Sequence, residues 1–412
     1  MKIDTIVLGA GIVGTSIALN LLERGRSVVL VDRRGPGEET SYGNAGLVER
    51  ASIYPTAFPR SLKALLDVAL GRNPGANYHW NALPRLAPWL FDYWRASAPA
   101  RILDYARIMD TLLVHTITEH QRLASASGAE HFFREGGWLK LYRTADGLAQ
   151  EREEFPLARR YGLTAREISV DDALALEPFL RPVFTGAALW SDPHSVSSPG
   201  GVTQAYAAHF ANSGGHLVRG DALSLARLGS GWSVSTEQGS FEAPEAVVAL
   251  GPWAMDVLRP FGVRLPLQVK RGYHMHYRAE GNAGLSRPVL DEEGGYVITP
   301  MLGGIRLTTG VEFARRDAPK TPVQLAATEA LARDLFPLGD RTEPEPWMGS
   351  RPAFPDMLPV IGPAPNQKGL WLAIGHQHLG FTLGPVTGRL LADMMEGQTP
   401  IVDPAPFSAT RF

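Results

Sequence analysis

The sequence predicts an α/β chain in which a Rossmann-type dinucleotide-binding domain is interleaved with an α+β domain built on an antiparallel sheet. Three observations carry this expectation. A glycine-rich turn stands between an apolar strand and a helix in "IVLGAGIVGTSIALNLLERGRSVVLVDRR", Ile6 to Arg34. A second apolar strand, "SVVLVD", closes that unit on an acid, Asp32. Far downstream, "LQVKRGYHMHYR", "GGYVITPML" and "GIRLTTGVEF" alternate in hydropathy as strands of an antiparallel sheet do.

The first unit explains itself residue by residue. Thr5 to Leu8 reads as a buried strand, and the helix after it keeps Ile17, Ala18, Leu21 and Leu22 on one face before Gly25 ends it. Gly9, Gly11 and Gly14 form G-x-G-x-x-G. The first makes a tight turn, the second admits a pyrophosphate to the backbone, and the third lets helix and strand pack closely. Ile12 and Val13 open the helix, where free N–H groups and partial positive charge meet phosphates. Asp32, with Arg33 beside it, stands about eighteen residues after Gly14, where an acid binds a ribose hydroxyl. The fingerprint alone does not separate FAD from NAD.

Residues 60 to 130 read as largely helical, with "LLVHTITEHQRLASASG" as one amphipathic helix ending at Gly128. "GGWLKLYR" alternates as a strand, and "SVDDALALEPFL" starts a short helix on Ser and Asp. "SSPGGVTQAYAAHFANSGGHLVRG" is a helix closed by Gly214 and Gly215, then a strand; "GWSVSTEQGSFEAPEAVVALG" is a hairpin leading into a buried strand. After the alternating strands come a helix over 322–335 and a tail of strand, glycine loop and final helix. This order implies that the chain crosses repeatedly between two domains. The expected nucleotide domain comprises 1–50, 165–182, 195–255 and 340–412, and the substrate domain 51–164, 183–194 and 256–339. NAD dehydrogenases usually keep their nucleotide domain contiguous, so the weaving favours FAD.

Composition bounds the function. The chain has 412 residues, enough for two cores, and its 44% hydrophobic and 20% charged content is that of an ordinary globular enzyme. Lys and Arg number 40 against 42 acids, and no basic stripe interleaved with aromatics is present, so nucleic-acid binding has no support. Cysteine is absent, which removes disulfides, thiolate metal sites and a cysteine-linked flavin. Asp4 interrupts any signal-peptide core, and no run of 18 apolar residues appears. A cytoplasmic protein is expected, with peripheral contact at the inner membrane through Trp89, Leu90, Phe91 and Trp94 as the rarer alternative to their packing inside the protein.

Five separated segments then resemble one family. "IVLGAGIVGTSIALNLLERGRSVVLVD", "TSYGNAGLV", "AVVALGPWA", "WMGSRPAFPDMLPVIGP" and "GHQHLGFTLGPVTGRLLADMM" are similar to the FAD-dependent D-amino-acid dehydrogenase/oxidase superfamily, nearest to its small-subunit-type bacterial D-amino-acid dehydrogenases. The resemblance implies that Ser41 lies near phosphate, and that Gly43, Asn44, Ala45 and Gly46 offer backbone to the flavin, where small residues admit a flat ring. It places Ala249, Leu250, Gly251 and Trp253 beside the adenosine. Gly349 and Arg351 come close to the flavin, and Leu379, Gly380, Phe381 and Thr382 aim helix N–H groups at the flavin edge that turns anionic on reduction. His376 and His378 could in principle bind a metal, but no supporting carboxylate spacing exists and none is expected.

Oxidation of an amino acid needs the carboxylate anchored and the amine neutral. Arg351 is the first candidate anchor, since a planar guanidinium suits a carboxylate. A family arginine expected in "YVITPML" is missing: the place reads Thr299, Pro300, Met301. Tyr273, His274, Tyr296 and His378 are the groups expected to replace it. A pocket of hydrogen-bonding groups suits a compact cyclic imino acid, D-proline or 4-hydroxy-D-proline, oxidised at Cα–N with electrons passed to a quinone or another acceptor. The rival readings are an oxidase of sarcosine- or glycine-type amines, a flavin-holding subunit of a heteromer, and an NAD(P) dehydrogenase.

Overall fold

The computed structural model describes residues 1–71 and 74–412, the side chain at position 64 excepted. Its first layer is a six-stranded sheet in the order His216–Arg219, Val28–Asp32, Thr5–Leu8, Glu245–Val248, Leu370–Ile374 and Val360–Pro363. All pairs are parallel except the last. Strands buried on both faces must be apolar throughout, which is why "TIVL" and "VVLV" carry no alternation. The Ile12–Glu23 helix lies against this sheet, and the Gly380–Met395 helix crosses it closely. Two glycines one turn apart permit that crossing. A Cβ at Gly384 would meet Ile12 at 2.9 Å, and one at Gly388 would meet the Ser16 carbonyl oxygen at 2.6 Å.

The second layer is an 11-stranded sheet among the described residues, organised on the long Gln268–Ala279 strand. That strand pairs antiparallel with Gly304–Thr309, Val311–Phe313, Leu338–Arg341 and Trp347–Ala353. Two pairings are parallel, Val289–Asp291 with Trp138–Tyr142 inside the sheet and Val311–Phe313 with Ala76–Tyr78 at its edge, so the sheet is predominantly rather than purely antiparallel. Helices over Leu62–Ala69, Leu83–Ala96, Pro99–Leu113 and Thr116–Ser127 supply the helical stretch expected from 60 to 130.

Two expectations need correction. "LLVHTITEHQRLASASG" is not one helix: the chain breaks at Val114 and His115, and the Thr116 hydroxyl donates to the Leu113 carbonyl at the junction. The second helix does end at Gly128, in the left-handed region at φ 69°. The division of the chain also differs. Ala165–Ile168, expected in the nucleotide domain, pairs with Gly186–Trp190 in the large sheet, and Trp347–Ala353 pairs with Gln268–Ala279 there. Strand pairing is a long-range choice that local pattern does not encode.

Candidate active site

A cavity of about 490 Å³ runs from the glycine turn of the parallel sheet to the face of the large one. At its first end Gly9 has φ 104°, and a Cβ there would lie 2.5 Å from the Ala249 carbonyl oxygen. Gly14 packs on Gly9 itself, where a Cβ would lie 1.8 Å from the Gly9 carbonyl oxygen, so it shapes the turn without lining the cavity. Gly11 leaves only 3.2 Å from its ideal Cβ position to Ser41 Oγ, which accepts from the Ile12 N–H at 3.0 Å. Asp32 accepts from Ala10 N–H at 2.7 Å and Arg34 N–H at 2.9 Å; burial nonetheless raises its pKa, the hydrogen bonds only partly opposing it. Arg33 stacks 4.3 Å over the Trp253 ring, forming with Leu250 and Gly251 a flat-walled end. A glycine turn whose extra Cβ atoms would clash, an open helix N-terminus and a buried acid fit a dinucleotide.

At the other end stand Gly43, Asn44, Ala45, Trp347, Gly349, Arg351, His378, Gly380 and Phe381. The smallness of Gly43 and Gly349 has a cause within the chain: Cβ atoms there would meet the Trp347 indole at 1.8 and 2.2 Å. Arg351 crosses Gly272, whose Cβ would lie 2.5 Å from Nη2, and donates to the carbonyls of Gly310 at 2.7 Å and Thr309 at 3.2 Å. Burial pulls its pKa to about 10, with the Glu49 charge opposing. Glu49 lines the same cavity; burial raises its carboxyl to about 7, while Ser52, Lys140 and Arg351 act the other way. His378 is held neutral, down to about 3, by burial and then by Arg351 and Lys270.

Several expected residues lie elsewhere. Gly46, Leu379 and Thr382 border the site without lining it: a Cβ at Gly46 would meet Met301, Leu379 is core, and Thr382 Oγ1 accepts from Glu49 N–H at 3.0 Å. Tyr273 contributes its edge to the cavity, but its hydroxyl is on the back of the sheet, accepting from Arg271 at 2.9 Å and donating to Glu312 at 3.0 Å. Period-two alternation requires this: Lys270, Gly272 and His274 share the cavity-side face, and Arg271, Tyr273 and Met275 the other. His274 is on the right face but is covered by Trp347, stacked at 4.7 Å and 14°. Tyr296 is buried in the core with Ile298 and Leu307, outside the cavity. Of the four groups expected to replace the missing arginine, His274 and Tyr296 therefore lie outside the cavity and Tyr273 brings its ring but not its hydroxyl to it, which leaves His378.

The missing arginine itself is explained by register. Lys270 pairs with Arg351, whereas Tyr277, seven residues along, pairs with Ile305, which pairs with Pro300. Pro300 thus stands roughly 23 Å along the sheet from the Arg351 pair at 3.3 Å per residue. Arg306, near it in register, braces the 42–44 loop through the carbonyls of Tyr42 and Asn44. Glu49, Lys270 and Trp347 were missed. Only Lys270 carried a signal, its place two residues before Gly272 on an alternating strand. His376 reaches Thr387 at 3.1 Å, and no group of metal-ligating side chains is present among the described residues.

A coenzyme cradle joined to a half-buried guanidinium at the far end of one cavity is an arrangement suited to a flavin-dependent oxidoreductase. The model of the family described as FAD dependent oxidoreductase, abbreviated DAO, matches residues 4–394, and the chain belongs to that family. Its cofactor is FAD, and the absence of cysteine means that no cysteine links it. The chain is 30% identical to a D-amino-acid oxidase of Bradyrhizobium diazoefficiens, over 98% of each chain. It is also 30% identical to a D-amino acid dehydrogenase of Methylobacterium nodulans, over 99% of this chain and 98% of that one. The structure resembles glycine oxidase from Geobacillus kaustophilus with a TM-score of 0.76 at 24% identity, covering 100% and 99% of the two chains. The chain is an FAD-dependent amino-acid oxidoreductase.

Proposed function

We propose that this protein oxidises the Cα–N bond of a small D-amino or cyclic imino acid. The observation that carries the reading is Arg351, a half-buried guanidinium that opens into the coenzyme cavity with two backbone carbonyls fixing its orientation. Bound FAD supplies the hydride acceptor. Gly9, Gly11, Ile12, Val13, Asp32 and Ser41 would hold its phosphates and ribose, and Gly43, Gly349 and Gly380 would flank its ring system. The chain's own residues do the remainder. Arg351 anchors the carboxylate and so fixes which face of Cα is presented. Glu49 Oε, titrating near 7, accepts the proton of the substrate ammonium, leaving the amine neutral. Trp347 limits water at that end.

Within this class the preferred substrate is D-proline or 4-hydroxy-D-proline. His378, neutral and beside the anchor, can hydrogen-bond a ring hydroxyl, and the aromatic side chains suit an apolar ring. Electrons pass to a quinone or another acceptor. A peripheral membrane contact fits this acceptor: Leu62, Leu66, Leu70, Trp80 and Phe91 are exposed on neighbouring helical segments that also carry Lys63, Arg85 and Arg95. Trp89, by contrast, is buried. No described helix is long and apolar enough to cross a membrane.

Anaerobic mixing with D-proline, cis-4-hydroxy-D-proline, D-alanine and sarcosine tests the reading through loss of oxidised flavin absorbance. Bleaching by the imino acids, with a rate that rises through about pH 7 and loses that rise in Glu49→Gln, is the expected outcome. Bleaching by D-alanine or sarcosine alone would replace the cyclic substrate, and no bleaching by any of them would overturn the assignment.

A further inference from the structure

Lys270 is a buried cation to which the fold gives no anion. It stands directly across from Arg351 in register, on the same face of the sheet, and is 4% exposed. Its Nζ lies 3.8 Å from the centre of the Tyr93 ring and 5.7 Å from that of Trp89. Among the described residues it has neither a carboxylate within 4 Å nor a hydrogen-bond acceptor. Other buried or half-buried cations of this sheet have partners: Arg271 pairs with Glu312 at 2.7 Å, Arg143 with Asp291 at 2.8 Å and Lys140 with Glu151 at 3.1 Å, while Arg306 has no carboxylate but donates to two backbone carbonyls and to His276. Like charges directly opposite on two strands destabilise a sheet, and a buried charge without a counter-ion costs more still. Such a pair calls for an anion that arrives from outside.

We infer that Lys270 is the second cation of the substrate anchor: Arg351 and Lys270 together hold one carboxylate, in an extension of the amino-acid-oxidising reading above. Lys270 thereby does what the absent strand arginine was expected to do, from a different strand. In the free protein burial, and then Arg351, bring Lys270 down to about 7. Around it stand Arg351 from the paired strand and His378 from the loop before the last helix. Tyr93, its hydroxyl pKa raised by burial, faces it from the Leu83–Ala96 helix, while Tyr105 and Glu49 lie behind. A carboxylate at Nζ favours the protonated amine, so above about pH 7 binding takes up a proton.

Isothermal titration of the FAD-loaded protein with pyrrole-2-carboxylate, from pH 6 to 9 and in two buffers of different ionisation enthalpy, tests this. In the wild type Kd rises about tenfold per pH unit above 7, with up to about one proton taken up per ligand. In Lys270→Met, which keeps the stem against Tyr93 and Trp89, Kd at pH 6 rises about 10- to 100-fold, and in a Glu49→Gln background, which removes the other group titrating near 7, both the pH slope and the proton uptake vanish. Lys270→Arg in that background restores binding without the slope, and decides the matter alone if the methionine variant does not fold. Unchanged Kd in Lys270→Met, a wild-type slope kept by either variant in that background, or no binding by the wild type would each overturn the inference. The expected binding pattern in a protein that no amino acid reduces would refute the proposed reaction and leave the anchor standing.

Discussion

The two faces of the Gln268–Ala279 strand handle charge in opposite ways. On the back, Arg271 is fully buried and ion-paired: Glu312 faces it at 2.7 Å, the carbonyls of Ala318 and Pro319 accept from it, and Tyr273 closes the network. On the front, one residue earlier, Lys270 is buried and its neighbour Arg351 half-buried, neither with a carboxylate in contact. The same strand, the same sheet and nearly the same depth thus give a finished ion pair and an unfinished one. The ion-paired network holds the sheet together; the unpaired one is stabilised only when a ligand completes it. Burial of a charge therefore does not by itself mark function, but burial without a counter-ion, next to a cavity-lining residue such as Arg351, does.

The comparison can be broken from either side. Glu312→Gln removes the countercharge of Arg271 and should destabilise the protein by about 3–5 kcal/mol. Thermal unfolding of the holoprotein measures this, and an unchanged Tm would mean that the back face is not the structural one. Arg351→Met should lower kcat/KM for the oxidised substrate roughly 30- to 1,000-fold, equivalent to about 2–4 kcal/mol, while leaving Tm the same or higher. An unchanged KM would remove Arg351 from the anchor.

Lys270→Met should raise Tm by an amount that depends on pH. With a folded pKa near 7 and an ordinary value of 10.5, the unfolded chain binds the extra proton between those limits. Wild-type stability thus rises with pH across that window, and the cost of the lysine is largest below pH 7. Unfolding scans at pH 6 and 10 should show the advantage of the variant shrinking towards the alkaline end. Tyr273→Phe should cost about 1 kcal/mol of stability through its lost hydroxyl bonds and leave KM unchanged. Tyr296→Phe, on a core residue outside the cavity, should change neither the flavin reduction rate nor its substrate dependence in stopped-flow measurements.

Legibility in the sequence divided along the same line. The nucleotide end was readable because its requirements are local. A turn at φ 104°, a helix opening three residues on and an acid at the end of the following strand are all written within one βαβ unit. That Arg351 lines the cavity was readable through the motif around it. The other pocket candidates failed for a reason of geometry. Alternation tells that Tyr273 and His274 face opposite ways, but not which way the cavity lies, and only the Trp347 strand pairing across from them decides that His274 is covered.

The sequence by itself determined the dinucleotide cradle, the two-layer α/β architecture and the family, because periodicity, glycine spacing and motif order are properties of the chain read in line. Tertiary structure alone decided which sheet receives Ala165–Ile168, which strand face meets the coenzyme cavity, and that Lys270 and Arg351 stand side by side. The physical reason is register: a strand pair joins residues 270 and 351 through hydrogen bonds that no local pattern specifies, and one residue of slip would exchange the cavity face for the core.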